Sequence, residues 1–429
     1  MGRAPSKRGD ELIVGSHPPF GNGPTTLAGR DAAASVRLPC GRYESVMKMV
    51  LTLALAMAGL AAVALGVACR TEADDTGTYS RLLSIVPDDP TFRVATVIVD
   101  YREIRRLQGY TQPREPGDAA EAVSAIDQVL GANGIDITFR DILGFSWNDL
   151  PEAALNLEAA FGLGLDDVDA ALTAGLERPR TLHAVAGRFD PESVRTHLDA
   201  CDACVPGEEL AYAGQPYLSW GGAESADARF ALPAFDVLGR GGYFVFTNEY
   251  VIRSNFLDAL QGSIEASQDV GSLAAVEAFR LAAVAADRLD LIAWSVSDRT
   301  QGRERAGASL DEFAGTDQLR TAIIEAWHPP ASEVRLRPYD TFAVGVGVRG
   351  GTPYTAVIVV HDSDETAADN VARLEQRLVT TSSAIVGAPW ANLFASWEVS
   401  AEGPVVTAIL RGDALFSLAG GWDPLLLHE

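Results

Sequence analysis

One arrangement of local patterns occurs twice in this 429-residue chain, and it constrains the fold more than any other feature. In the first copy, the strand-like TLHAVAGRFD leads into a helix that Asp190 caps and Pro191 opens, and a hairpin pattern follows. In the second copy, VVHD leads into the amphipathic helix SDETAADNVARLEQRLVT, again followed by a hairpin. Hairpin strands pair antiparallel, so the predicted fold class is α+β, with two similar modules, each an antiparallel sheet with helices packed on one face.

These patterns divide the chain into six predicted parts. Module 1 spans 81–300 and module 2 spans 334–429, and a connecting segment covers 301–333. Hairpin turns are expected around Gly214, Gly350 and Gly403. Before the first of these turns, GLDDVDAALTAG is expected to form a short helix, and after it a helix is expected to begin with Ser272 as its N-cap. The remaining parts precede module 1 and are a leader at 1–46, a signal peptide at 47–68 and a linker at 69–80.

The apolar segment at 50–68 predicts where the protein is located. It carries no charged residue, Lys48 precedes it, and the small residues Gly66 and Ala68 come just before Cys69. A charged start, an apolar middle and a small-residue end form a secretory signal. Residues 1–46 are rich in Gly, Pro, Arg and Ala and lack hydrophobic periodicity, so we expect translation to start at Met47 or Met49.

The end of this segment, Leu65-Gly66-Val67-Ala68-Cys69, resembles a bacterial lipoprotein signal. The resemblance implies that the Cys69 thiol is acylated and becomes the new N-terminus. Cleavage after Ala68 by an ordinary signal peptidase, or an uncleaved single-span anchor, remains open. In all three cases basic residues precede the segment and the acidic TEADDTG follows it, so the bulk of the chain faces out of the cytoplasm.

Charge excludes one class of partner. The formal net charge is −24, and nucleic-acid binding needs clustered Lys and Arg to displace counterions from phosphates. Nucleic acid is thus set aside as a partner. The lipoprotein-like signal implies the cell membrane as a partner, through Cys69, and the further partner is expected to be an unidentified envelope protein or small ligand.

The four cysteines divide by position. Cys40 lies in the leader and Cys69 at the signal, which leaves Cys201 and Cys204 in LDACDACVPG. Outside the cytoplasm such a pair is expected to form a structural disulfide. A redox or metal-binding pair and free thiols are the alternatives, although the pair follows the C-terminal end of a helix, where the dipole disfavours a thiolate.

No catalytic motif is found in the sequence. It contains neither the paired histidines of a metal hydrolase, nor a G-x-S-x-G elbow, nor a phosphate loop, so no catalytic residue, metal or cofactor is predicted. Two carboxylates facing each other across a cleft are not excluded. Trp147, Trp327 and Trp390 lie near predicted loops and are the candidate ligand contacts.

Several segments together resemble an uncharacterised bacterial envelope protein family, a domain of unknown function. They are the GRFD strand with its helix, a Tyr-Gly hairpin, FVFTNEYVIRSNFLDAL, and a helix with Ser272, Leu273 and Phe279. The resemblance spans roughly residues 80 to 300 and implies no activity and no ligand.

The expected function is therefore that of a lipid-anchored extracytoplasmic protein that binds a ligand or partner without catalysing a reaction. One alternative is an envelope enzyme, either a thiol-disulfide oxidoreductase using Cys201 and Cys204 or a carboxylate-based hydrolase. The other is a structural or assembly component of the envelope.

Overall fold

The computed structural model describes residues 77–107, 141–142, 145–146, 161–164, 167–175, 180–200, 207–220, 242–298, 334–383, 388–412 and 422–428. All of them belong to a single unit, Ala73–Glu429.

The helices and strands, numbered in chain order within this part, are as follows. The helices are α1 Thr78–Leu83, α2 Pro90–Val94, α3 Tyr101–Leu107, α4 Pro191–Ala200, α5 Leu257–Ala266, α6 Glu277–Asp287, α7 Asp364–Thr380, α8 Trp390–Leu393 and α9 Asp423–Leu426. The strands are β1 Thr96–Asp100, β2 Asp141–Ile142, β3 Phe145–Ser146, β4 Val168–Ala174, β5 Leu182–Gly187, β6 Glu208–Tyr212, β7 Gln215–Trp220, β8 Gly242–Phe246, β9 Tyr250–Ser254, β10 Leu291–Ser297, β11 Thr341–Arg349, β12 Thr352–Val360, β13 Ser396–Glu402 and β14 Val405–Arg411.

Twelve of these strands form one antiparallel sheet. Its order is β13-β14-β12-β11-β10-β1-β4-β5-β9-β8-β7-β6, while β2 and β3 pair separately. The predicted combination of helices with antiparallel strands is confirmed, and these strands form one large sheet. The strands assigned to the two modules join where β10 pairs with β11, so the division into two similar modules stays a prediction.

The β11–β12 hairpin shows how sequence sets the register. Gly350 and Gly351 have φ of 59° and 77°, the left-handed values that a tight hairpin turn requires and that glycine adopts without steric cost. Nine residue pairs follow without a shift, from Arg349 opposite Thr352 to Thr341 opposite Val360. The turn predicted at Gly350 is confirmed.

Strand β4 corrects the prediction of a helix in GLDDVDAALTAG. Residues Val168–Ala174 form a strand paired with β1 on one side and β5 on the other. Six of its seven residues are buried, and they include residues on both faces of the strand. Its alanines favour a helix in isolation, and tertiary packing overrides that propensity.

The helix expected from Ser272 also begins later than predicted. A short 3-10 turn spans Leu273–Ala275, Ser272 makes no side-chain capping hydrogen bond, and α6 starts only at Glu277.

Apolar residues pack on both faces of the sheet. Along β12, Ala356 and Ile358 belong to one hydrophobic core, while Val357 and Val359 belong to a second core on the opposite face. Helix α6 packs over β10, β11 and β12 on the first face. Helix α7 packs over β13 and β14 on the second face. The C-terminal strands are therefore enclosed between helices from distant parts of the chain.

Candidate functional site

The first helix of the described chain is held by a carboxylate distant in sequence. Asp287 is the last residue of α6, and its Oδ1 accepts a hydrogen bond from the Tyr79 amide at 3.0 Å. Its Oδ2 accepts from the Ser80 amide at 3.3 Å and from the Ser80 hydroxyl at 2.8 Å. Asp287 thereby caps the N-terminus of α1, where backbone N–H groups have no partner within the helix.

Gly77 makes this capping contact possible. A Cβ atom built on Gly77 would lie 2.0 Å from the Asp287 Cγ, far inside van der Waals contact. The missing side chain, rather than an unusual backbone conformation, is what this position requires, since its φ is −60°.

A second carboxylate, Asp100, lies at the end of β1 and caps α3. Its Oδ1 accepts from the Glu103 amide at 2.9 Å, and its Oδ2 accepts from the Thr78 hydroxyl at 2.8 Å. Arg102 donates to the same Thr78 oxygen at 2.6 Å and lies 3.8 Å from Asp100 Oδ2. Thr78 thus links the two capped helices, and we call Thr78, Ser80, Asp100, Arg102 and Asp287 the cap cluster.

Burial changes the acidity of both carboxylates. It raises the pKa of Asp100 and the pKa of Asp287, because a carboxylate charge loses solvation inside the protein. Burial also raises the pKa of Tyr354 to about 12, and its hydroxyl donates to the Leu289 carbonyl. A carboxyl group with a raised pKa is one mark of a general acid, so the cap cluster is the candidate catalytic site of the described chain.

The hydrogen bonds favour a structural role over an acid-base role. A general acid must direct a proton at its substrate, whereas each oxygen of Asp100 and of Asp287 already accepts a hydrogen bond from the protein. Both groups act as hydrogen-bond acceptors at the start of a helix. The role of the cap cluster is therefore structural: it holds the N-terminal ends of α1 and α3 in place.

A second buried polar group, which we call the histidine cluster, consists of Arg337, His361, Asn370 and Pro404. Asn370 on α7 accepts from the Arg337 amide at 2.7 Å and donates to the Arg337 carbonyl at 3.1 Å. It also contacts the Nε2 of His361 at 2.7 Å, while the Nδ1 of His361 lies 3.1 Å from the Pro404 carbonyl. The cluster connects α7, the end of β12 and the β13–β14 turn.

These contacts define the protonation state of His361. The Arg337 backbone fixes the Asn370 amide, with its oxygen on an N–H and its nitrogen on a carbonyl, so that nitrogen must donate to Nε2. Nδ1 must then carry the proton, because it faces the Pro404 carbonyl. A second proton on Nε2 would oppose the Asn370 N–H. Burial accordingly lowers the pKa of His361.

Most of the site residues predicted from sequence lie outside the described residues. These are Cys69, Cys201, Cys204, Trp147 and Trp327. Helix α4 is described up to Ala200, and the Glu192 amide donates to the Asp190 carboxylate at 3.1 Å, as the predicted helix start requires.

Two features are absent from the described residues. They contain no group of three or more His, Cys, Asp or Glu side chains arranged to hold a metal ion. Within the same residues, no helix is both long and apolar enough to cross a membrane.

Trp390 lies in a different environment from the one predicted. We expected it near a loop where it could contact a ligand, but its side chain is 1% exposed. Its ring stacks on Trp422 at 5.1 Å and on Phe394 at 6.1 Å between centroids, within the second core. Trp390 is therefore a core residue and not part of a surface site.

The sequence patterns described above single out none of the cap-cluster residues. Asp287 sits in an ordinary amphipathic helix pattern, and no local signal connects it to a helix about 200 residues earlier.

Comparison with known proteins gives little further guidance. No protein-family model and no curated protein matches the chain. Among solved structures, crystal form III of TP0453 aligns with 77% of this chain and 91% of its own, at 7% identity and a TM-score of 0.32. Crystal form I aligns over the same shares with a TM-score of 0.29. At these scores the similarity carries no argument about fold or function.

Proposed function

We propose that this chain is a lipid-anchored extracytoplasmic protein that binds a partner or small ligand and does not catalyse a reaction. The observation that carries the proposal is the segment at 50–68, which Cys69 follows. It is a charge-free run with basic residues before it and acidic residues after it. The proposal includes acylation of Cys69, a disulfide between Cys201 and Cys204, membership of the envelope family, and the two-module organisation.

The cap cluster supports the proposal in mechanical terms. Any tether at Cys69 enters the described chain at Gly77, and α1 follows immediately. The first turn of α1 is hydrogen-bonded through Asp287 to α6, and α6 packs on the strands of the large sheet. A pull on the tether would thus act on the main core and not on a loosely attached helix.

The same cluster argues against the hydrolase alternative. Among the described residues, buried Asp100 and partly buried Asp287 are the carboxylates with raised pKa values, and their oxygens accept hydrogen bonds from Thr78 and from the donors at the helix starts. The oxidoreductase alternative depends on Cys201 and Cys204 and stays a separate hypothesis.

Cell fractionation tests the anchor. We would express the wild type and Cys69→Ser from Met47 in a bacterium that acylates lipoproteins. The wild type is expected in the membrane fraction, and Cys69→Ser is expected to be exported but released in soluble form. Equal membrane retention of both proteins would mean that residues 50–68 remain as a spanning anchor, and the lipid part of the proposal would be wrong.

A further inference from the structure

Strand β13 lies at one edge of the twelve-stranded sheet. It pairs with β14 over seven residues, from Ser396 opposite Arg411 to Glu402 opposite Val405, without a register shift. The sheet order places no other described strand on its outer side. An edge strand presents backbone N–H and C=O groups that can pair with another chain.

Proteins usually protect such edges, and β13 lacks most of the usual devices. It contains no Pro, Gly or Lys and no bulge. The opposite edge, β6, is shorter at five residues and places the consecutive glutamates Glu208 and Glu209 on its two faces. β13 carries its two glutamates, Glu398 and Glu402, four residues apart and therefore on a single face.

The two faces of β13 differ in chemistry. Trp397 and Val399 are partly buried and pack against the second core, so this face extends the apolar surface beneath α7. On the other face Ser396, Glu398, Ser400 and Glu402 are exposed.

The charges on the exposed face are only partly compensated. Glu402 lies 3.0 Å from Arg288, and Arg411 is opposite Ser396. Glu398 makes no ion pair with any described residue.

From this pattern we infer that β13 binds an extended segment of a partner protein as an added strand, in which apolar residues alternate with Lys or Arg. Apolar side chains of that segment would lie beside Trp397 and Val399, and basic ones beside Glu398, as cross-strand neighbours do. The inference rests on the proposed function, because it names the class of partner that such a binding protein would take.

Charge disfavours a second copy of this chain as the occupant. Pairing β13 with another β13 would place four glutamates on one face, Glu398 and Glu402 from each copy. Each copy also carries a net charge of −24, so the two would repel on approach.

Peptide binding tests the inference directly. We would titrate the full chain in detergent with a fluorescent nine-residue peptide in which Val alternates with Arg, and compare a peptide of the same composition with the two residues in separate blocks. The alternating peptide is expected to bind at least tenfold more tightly. Equal affinity would overturn the inference, because it would show attraction without strand pairing.

Backbone methylation separates strand pairing from side-chain attraction. One alternating peptide is N-methylated on every Val and another on every Arg. An added strand directs alternate N–H groups at its neighbour, so at least one of the two should lose binding tenfold or more. If both retain the affinity of the parent peptide, the inference is wrong.

A matched pair of variants locates the site. Glu398→Lys should lower the affinity for the alternating Val-Arg peptide by up to about fivefold, which corresponds to the free energy of one cross-strand charge pair. It should also favour a Val-Glu peptide. Glu375→Lys makes the same charge change at an exposed position on α7 and should have less than half that effect. Equal weakening by the two variants would show that the peptide responds only to net charge.

Three further outcomes are decisive. A concentration-dependent dimer that the peptide dissociates would assign β13 to a second copy and overturn the choice of partner. Absence of peptide binding to a protein whose Cys69 is acylated would remove the strand site and leave the proposed function intact. Peptide binding by a protein that is not acylated would keep the strand site and contradict the lipid anchor of the proposed function.

Discussion

The cap cluster and the histidine cluster do the same structural work with opposite electrostatics. Each joins segments that are distant in sequence, Asp287 to Tyr79 and Asn370 to Arg337, by buried or partly buried hydrogen bonds to backbone groups. The first uses carboxylates and the second uses a neutral amide and imidazole. Loss of solvation disfavours charge in both, and therefore raises the pKa of Asp100 and Asp287 but lowers that of His361.

The comparison predicts two opposite dependences on pH. An acid with a raised pKa binds more protons in the folded state, so its contribution to stability is full at low pH and is lost as pH rises. A base with a lowered pKa binds more protons in the unfolded state, so its contribution is full at high pH and is lost as pH falls. The joint contribution of these groups to stability should therefore be lowest between the two transitions, where both contributions are reduced.

The largest effect is expected for Asn370→Ala. The side chain is 1% exposed and makes three hydrogen bonds, and its loss leaves the Arg337 amide and carbonyl without their partner. We expect the free energy of unfolding to fall by about 2–4 kcal/mol. Denaturant unfolding measures it, with Asn392→Ala as the exposed control. A change no larger than that of the control would mean that the histidine cluster does not hold α7.

Asp287→Ala is expected to have the next largest effect. It removes the acceptor for Tyr79 and Ser80 at the start of α1, and a lost helix cap costs about 1–2 kcal/mol. The same denaturant experiment applies, with Glu375→Ala as a control on an exposed helix face. Hydrogen exchange should also speed up in α1. Unchanged exchange there would contradict the assignment of Asp287 as its cap.

Gly77→Ala tests the same contact from the other side. The added Cβ would displace Asp287, so the variant should cost about 1 kcal/mol or more through the same lost cap. In a double-mutant cycle, Gly77→Ala should add little in the background of Asp287→Ala. Fully additive effects would show that Gly77 acts through something other than the cap.

His361→Gln addresses the acidic side of the histidine cluster. Below pH 6.5, the ordinary pKa of histidine, the unfolded chain takes up a proton that the buried imidazole resists, so the stability of the wild type should fall as pH decreases. The variant should lose about 1 kcal/mol at pH 8 and show a weaker decline towards pH 5. If the stability of the variant falls as steeply towards pH 5 as that of the wild type, the pH dependence arises from groups other than His361.

Asp100→Asn should have the smallest effect and the opposite sign of pH dependence. The wild type should lose stability as pH rises above 3.8, the ordinary pKa of aspartate, because the buried carboxylate resists ionisation. The amide does not ionise, so the variant should differ by less than about 1 kcal/mol at pH 7 and lack this loss. If the free energies of unfolding of the wild type and Asp100→Asn differ by the same amount at pH 4 and pH 7, the pKa of Asp100 is not raised.

Sequence analysis anticipated the fold where local patterns decide it. The helix after Asp190 and the turn at Gly350 depend on capping and on left-handed backbone geometry, which a few residues specify. β4 was misread because a strand buried on both faces loses the alternation of polar and apolar residues that marks a half-buried strand.

The candidate sites depended on contacts that no short pattern records. Asp287 meets Tyr79 across 208 residues, and the connection arises only when α6 packs over the sheet. Trp390 was placed near a loop by its neighbours in sequence, yet Trp422 from the C-terminal segment covers it. Pairing of β10 with β11, which joins the two sets of strands, is likewise a long-range choice.

The most direct test of the central claim is the intact mass of the membrane-extracted protein, expressed from Met47 and treated with a thiol-trapping reagent under native conditions. The account predicts a chain that begins at an acylated Cys69 and has no trappable thiol at Cys201 or Cys204. An unacylated chain beginning at Cys69, or one that retains residues 47–68, would contradict the lipid anchor. Ready trapping of Cys201 and Cys204 would contradict the structural disulfide.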